Sequence, residues 1–100
     1  MPPSKYIRKL QAAIRLTHGC GSRHFTTVPV TEIIEKRVAW QGEVEVFDLI
    51  KHPKAQCCYA WSFEENGSTR TTSILGLPPV NSAEAAVKAA LAAEEESLPK

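Results

Sequence analysis

Asn66-Gly67 stands between two runs that read as β-strands, Gln56 to Phe63 and Thr69 to Leu77. Both residues tolerate the positive φ that a two-residue hairpin turn demands. A turn centred there fixes the register: Phe63 faces Arg70, Trp61 faces Thr72, and Tyr59 faces Ile74. Successive side chains point to opposite sides of a strand. One face therefore carries Tyr59, Trp61 and Ile74, and the other Cys58, Ala60, Leu75 and Leu77. A sheet with one wet face alternates cleanly between apolar and polar residues. This hairpin is apolar on both sides.

The preceding strand, Val44 to Ile50, has the same character. Val44 and Val46 point one way, Phe47 and Leu49 the other. Either a bulge lies near Val46-Phe47 or both faces are covered. His52-Pro53-Lys54-Ala55 supplies the turn between this strand and Gln56, which completes a three-stranded meander. Upstream, His24 to Val30 reads as a strand whose Pro29 assigns it to an edge or a bend. Residues 31–37 are compatible with one helical turn or irregular strand. The extended reading is preferred because Val38-Ala39-Trp40 follows directly.

Helices flank the β region. Over residues 4–18, Ile7, Leu10, Ile14 and Thr17 recur at helical spacing behind Ser4 as N-cap, and Gly19 sits at the C-cap. Gly19 to Arg23 reads as a flexible connector. After Pro78-Pro79, Asn81 or Ser82 caps a second helix, with Glu84 as in a capping box. Ala83, Ala86, Val87, Ala90 and Leu91 form its inner side. Glu94-Glu95-Glu96 falls where the helix dipole disfavours negative charge, so fraying is expected there, and Pro99 bars extension. The fold class is α+β: one domain over 1–100, an antiparallel meander of three to four strands between an N-terminal and a C-terminal helix. Two short helices are expected to cover one sheet face. The aromatic face would then fall to the strand 24–40, a second subunit or a ligand.

The net charge of +1 hides a polarised chain. No acid precedes Glu32, while Lys5, Arg8, Lys9, Arg15 and Arg23 do; Glu84 and Glu94 to Glu96 lie at the other end, against Lys88 and Lys100. No apolar run reaches the length of a membrane span, and the start lacks the apolar centre of a secretory signal. The acid-free amphipathic start mimics an organelle transit peptide, but Leu10 to Leu16 are needed for the core. Cys20, Cys57 and Cys58 form an odd set with no disulfide framework, which fits a reducing, cytoplasmic location.

Chemistry finds little foothold. His18, His24 and His52 with the three cysteines lack the knuckle spacing of a zinc site, and no metal is assigned. Cys20 lies among His18, Arg23 and His24, which would lower a thiol pKa, but it follows a helix C-terminus, which would raise it. Glu43 and Glu45 share one side of a strand, where two acids ordinarily form its wet face. No phosphate loop, dinucleotide fingerprint or serine-hydrolase elbow is present, so no catalytic residue and no cofactor is assigned.

Three function classes follow. The leading one is a non-enzymatic protein-interaction or homo-oligomerising module, with itself or another protein as partner, through Phe47, Tyr59, Trp61 and Ile74. The second is nucleic-acid binding through Lys5, Arg8, Lys9, Arg15 and Arg23, with Tyr59 and Trp61 as platforms for unpaired bases. The third is a thiol- or metal-dependent enzyme. The order helix, strands, helix and the alanine-rich run Ala83 to Ala93 are similar to the double-stranded-RNA-binding domain. That resemblance implies a lysine-rich clamp at the start of the last helix. Asn81-Ser82-Ala83-Glu84 stand there instead, with Lys88 alone a turn later. Separately, Val28-Pro29-Val30, Ala39-Trp40-Gln41-Gly42-Glu43-Val44-Glu45-Val46-Phe47, His52-Pro53, Tyr59-Ala60-Trp61 and Pro78-Pro79-Val80 resemble a family of small bacterial proteins without assigned activity. That resemblance implies a bacterial single-domain protein and carries over no site residue.

Overall fold

Ser4 opens the first helix as its sequence position requires. In the computed structural model, which describes residues 4–97, its Oγ accepts the N–H of Ile7 at 3.1 Å. Helix α1 (Lys5–His18) ends at Gly19, whose φ of 71° lets its N–H donate to the Arg15 carbonyl at 2.9 Å. Strand β1 (Gly21–Ile34) begins at once, so the expected flexible connector shrinks to Gly19-Cys20. Strand β2 (Arg37–Ile50) returns along β1. The extended reading of residues 31–37 holds, with a tight turn at Glu35-Lys36, where φ is 51° and 64°. The β2–β3 loop is closed by His52, whose Nδ1 accepts the N–H groups of Lys54 and Ala55 at 3.1 and 2.9 Å.

Strands β3 (Cys57–Glu65) and β4 (Ser68–Leu75) form the hairpin that Asn66-Gly67 dictates, with Phe63 against Arg70, Trp61 against Thr72 and Tyr59 against Ile74. Ser82 caps α2 (Ala83–Ser97): its Oγ accepts the N–H of Ala85 at 3.1 Å. The helical span includes Glu94–Glu96 and reaches Ser97, and Pro99 lies outside the described residues. The α+β class stands, with four antiparallel strands in the order β1-β2-β3-β4.

The helices do not share a face. Ile7, Leu10 and Ile14 of α1 form one core with Cys20, Phe47, Cys58 and Ala60. Ala83, Ala86 and Val87 of α2 form another with Val30, Val44, Tyr59 and Trp61. Cys58 and Ala60 alternate with Tyr59 and Trp61 along one strand, so the two cores lie on opposite sides of the sheet. The expectation that both helices serve one face is corrected: each covers one, which answers the doubled apolarity of the strands. A bulge is present as well. It falls on β1 at Phe25, where the register shifts opposite Val46 and Phe47.

The sheet is forked. Pairing of β2 with β3 is confined to Glu45–Asp48 and Cys57–Ala60. Beyond it the two hairpins part. Trp40 of one arm meets Trp61 of the other edge to face, with ring centroids 5.5 Å apart. The Trp40 indole lies over Gly42, close enough that an added Cβ would come within 3.1 Å of it. From the α1 side, the Tyr6 hydroxyl accepts the Ser62 N–H at 3.0 Å, satisfying a strand amide that the fork leaves without a β2 partner.

Candidate functional site

The residues expected to form an open aromatic face are mostly core. Phe47 is 0% exposed, Trp61 3% and Tyr59 7%. Phe47 also lies on the α1 side, away from the other two. The expected Phe47/Tyr59/Trp61 docking patch is therefore corrected: the chain's own helices enclose these rings. The enclosure also removes Tyr59 and Trp61 as stacking platforms for bases. Ile74 alone of the four stays half-buried.

Ile74 instead lines a groove of about 620 Å³ between the fork and the outer half of α2. Trp40 and Trp61 wall one end, Phe63 and Ile74 form the sheet side, and Leu91 comes from α2. Arg70, on β4, stands at its margin. The volume is that of an ordinary ligand or side-chain pocket. Sequence reasoning missed the groove because it arises from the parting of β2 and β3, which no single strand pattern encodes.

The two edges of the sheet differ. The Ser62 N–H points away from β4, so Ser62 and Thr71 are a pair that exchanges no hydrogen bonds. The Gly76 N–H donates to the Cys57 carbonyl, which sets the same phase at the other end of the hairpin. Thr69, Thr71 and Ser73 therefore turn their N–H and C=O groups outward from the sheet. Among the described residues no main-chain partner meets them. The β1 edge is guarded: Pro29 offers no N–H and Phe25 bulges out of the ladder, while both helices touch β1 and β4 alike. Strand β4 has no proline, no bulge and one charge, Arg70.

Lys5, Arg8, Lys9 and Arg15 are exposed on α1, and at about 100° per residue they fall within roughly one third of its circumference. No ion pair engages them among the described residues. Arg23 does not join them. It faces Asp48 across β1–β2, at a position that points to the α2 side.

A polar cluster lies on the α1 face where a wet strand was expected. Glu45 is 6% exposed. Its Oε1 accepts the His24 Nε2–H at 2.9 Å and the Thr27 hydroxyl. The His24 ring leans on Phe47 at 5.4 Å between centroids. Glu43, its neighbour on that face, is exposed as expected. Only the bulge at Phe25 brings both His24 and Thr27 to Glu45, so the strand pattern alone did not reveal the cluster. Ser22 shares the face, but its buried Oγ has no hydrogen-bond partner and does not engage His24. The three groups are not wired as a nucleophile, base and acid.

The thiols are free. Cys20 and Cys58 lie in the α1 core and Cys57 on the opposite side, as alternation requires. Burial, reinforced by Cys57 and Cys20 nearby, pushes the Cys58 thiol up to about 12, so it stays protonated and unreactive. Burial likewise pushes Tyr59 up to about 12, and its hydroxyl accepts from the Cys57 thiol at 3.8 Å. Among the described residues no three histidines, cysteines or acids converge as metal ligands.

His18 links α1 to the open edge strand: Nε2 and the Ser73 Oγ are hydrogen-bonded at 3.0 Å. Burial lowers its pKa, a hydrogen bond to the Ser73 main-chain carbonyl opposes the shift, and His52 adds to it. The folded chain thus binds fewer protons than the unfolded one below about pH 6.5. This contribution to stability is present above that pH and is lost as pH falls through the lowered value. The Tm is expected to drop between pH 7 and pH 5, and by less in His18→Gln, as read by thermal melts across that range.

No protein family, curated protein or solved structure matches the chain. No helix among the described residues is long and apolar enough to cross a membrane.

Proposed function

We propose that the protein is a self-associating interaction module that acts by binding rather than by catalysis. The observation that carries this reading is the asymmetry of the sheet edges. One is broken by Pro29 and the Phe25 bulge; the other, β4, has neither, carries outward main-chain groups at Thr69 and Thr71, and borders the groove. An unguarded edge is a template for another strand. A second copy is the natural occupant, because homo-oligomers with twofold symmetry are the commonest assemblies. Three free thiols suit the reducing cytoplasm in which such an assembly would work. Light scattering on a sizing column tests the reading. A mass of twice 11.0 kDa is expected at micromolar concentration and above, and a strict monomer up to millimolar concentration overturns it.

A second reading is supported by the cations of α1, which no ion pair engages among the described residues. Lys5, Arg8, Lys9 and Arg15 present a continuous basic stripe to solvent, a form that fits a phosphate backbone. Arg23 stands apart from it. Titration with duplex RNA and DNA at rising salt tests this: binding that weakens steeply with salt supports the stripe, and no shift at low salt dismisses it.

A further inference from the structure

We infer that two copies join by antiparallel pairing of β4 with β4 about a twofold axis at Thr71, extending the four-stranded sheet across both subunits. The inference rests on the self-association reading and specifies its interface. The outward main-chain groups of Thr69, Thr71 and Ser73 set the available registers, with the Ser73 carbonyl also taking a hydrogen bond from His18. With the axis at Thr71, Thr71 of one copy faces Thr71 of the other, and Thr69 faces Ser73. The Thr71 pair exchanges two hydrogen bonds and each Thr69–Ser73 pair one or two, since His18 already occupies the Ser73 carbonyl, so the junction holds about four to six.

Side chains favour this register over its neighbour. On the α1 side every new pair is hydroxyl against hydroxyl, a combination that stabilises antiparallel pairs. On the α2 side Arg70 lies opposite Thr72, which keeps the two guanidinium groups diagonal to each other. An axis at Thr72 would instead set Arg70 directly against Ile74 and Thr69 against Leu75. The axis runs perpendicular to the sheet, so both α2 helices lie on one face of the joined sheet. The two grooves, each walled by Ile74 and margined by Arg70, then flank the seam. The β1 edges end the assembly, because Pro29 and the Phe25 bulge prevent further addition. The product is a closed dimer and not a fibre.

The Thr71 N–H points away from β3, so Thr71→Pro removes main-chain bonds across the seam and, within the subunit, only the exposed Thr71–Ser62 hydroxyl bond at 3.1 Å. The mass of this variant is expected to fall to that of a monomer with an unchanged circular dichroism spectrum. Thr71→Cys is expected to form a disulfide-linked dimer under mild oxidation, since its Cα atoms would lie about 5.5 Å apart. Wild type and Thr31→Cys, on the β1 edge, are expected not to cross-link. A wild-type dimer that survives Thr71→Pro and leaves Thr71→Cys unlinked overturns this interface while self-association stands. A wild-type monomer overturns both. Should Thr71→Pro fail to fold, the cross-linking comparison alone decides.

Discussion

Phe47→Ala is expected to lower the unfolding free energy by about 3–5 kcal/mol, read as a fall in the urea midpoint at constant slope. Phe47 is 0% exposed and sits among Leu10, Ile14 and Cys58 under α1. Truncation removes its apolar area and leaves a cavity that a close-packed layer fills only in part. A domain of this size holds about 5–15 kcal/mol in total, so the variant stands near the edge of folding. Trp61→Ala, on the α2 side, is expected to cost a similar amount because that ring is 3% exposed and braced by Trp40. The alternative role for these rings, an open docking face, makes the opposite forecast: stability unchanged and association weakened. An exposed control on the same hairpin, Ile33→Ala, is expected to move the midpoint little, since Ile33 is 61% exposed.

Gly76→Ala is the second large effect. A Cβ built at Gly76 comes 2.2 Å from the Cys57 Sγ, 3.2 Å from the Cys57 carbonyl oxygen and 3.4 Å from the Tyr59 ring. The first distance is far inside van der Waals contact, and the thiol is held between Gly76 and the Tyr59 hydroxyl. Overpacking of this kind costs about 1–3 kcal/mol. Because the clash is with one sulfur atom, Cys57→Ala is expected to recover most of the loss. The double variant should then show a favourable coupling of about 1 kcal/mol or more in a denaturation cycle. Equal losses with and without the thiol would place the strain in the backbone instead.

Local signals carried much of the fold. Ser4 and Gly19 bracket α1, Asn66-Gly67 sets the β3–β4 register, and Ser82 starts α2. Each works through a short-range backbone requirement, so each is readable from a few residues. The Glu35-Lys36 turn was less legible, because two ordinary side chains adopt positive φ there without a glycine or asparagine. The placement of helices on opposite faces was latent in the doubly apolar strands. It was misread because nothing local says which face a helix will choose. The groove and the Glu45 cluster were not legible. One needs the parting of two hairpins and the other a bulge at Phe25, and both are long-range outcomes of sheet twist and register. Of the expected patch, only Ile74 ended at an accessible surface, because alanines on α2 allow that helix close against Tyr59 and Trp61.

Amide hydrogen exchange followed residue by residue at low and high protein concentration tests the whole account most directly. The N–H groups of Thr69, Thr71 and Ser73 are expected to exchange quickly when dilute and to gain protection as concentration rises, while the outward amides of β1 stay unchanged. Protection that grows along β1, or edge amides of β4 that stay fast at every concentration, would contradict it.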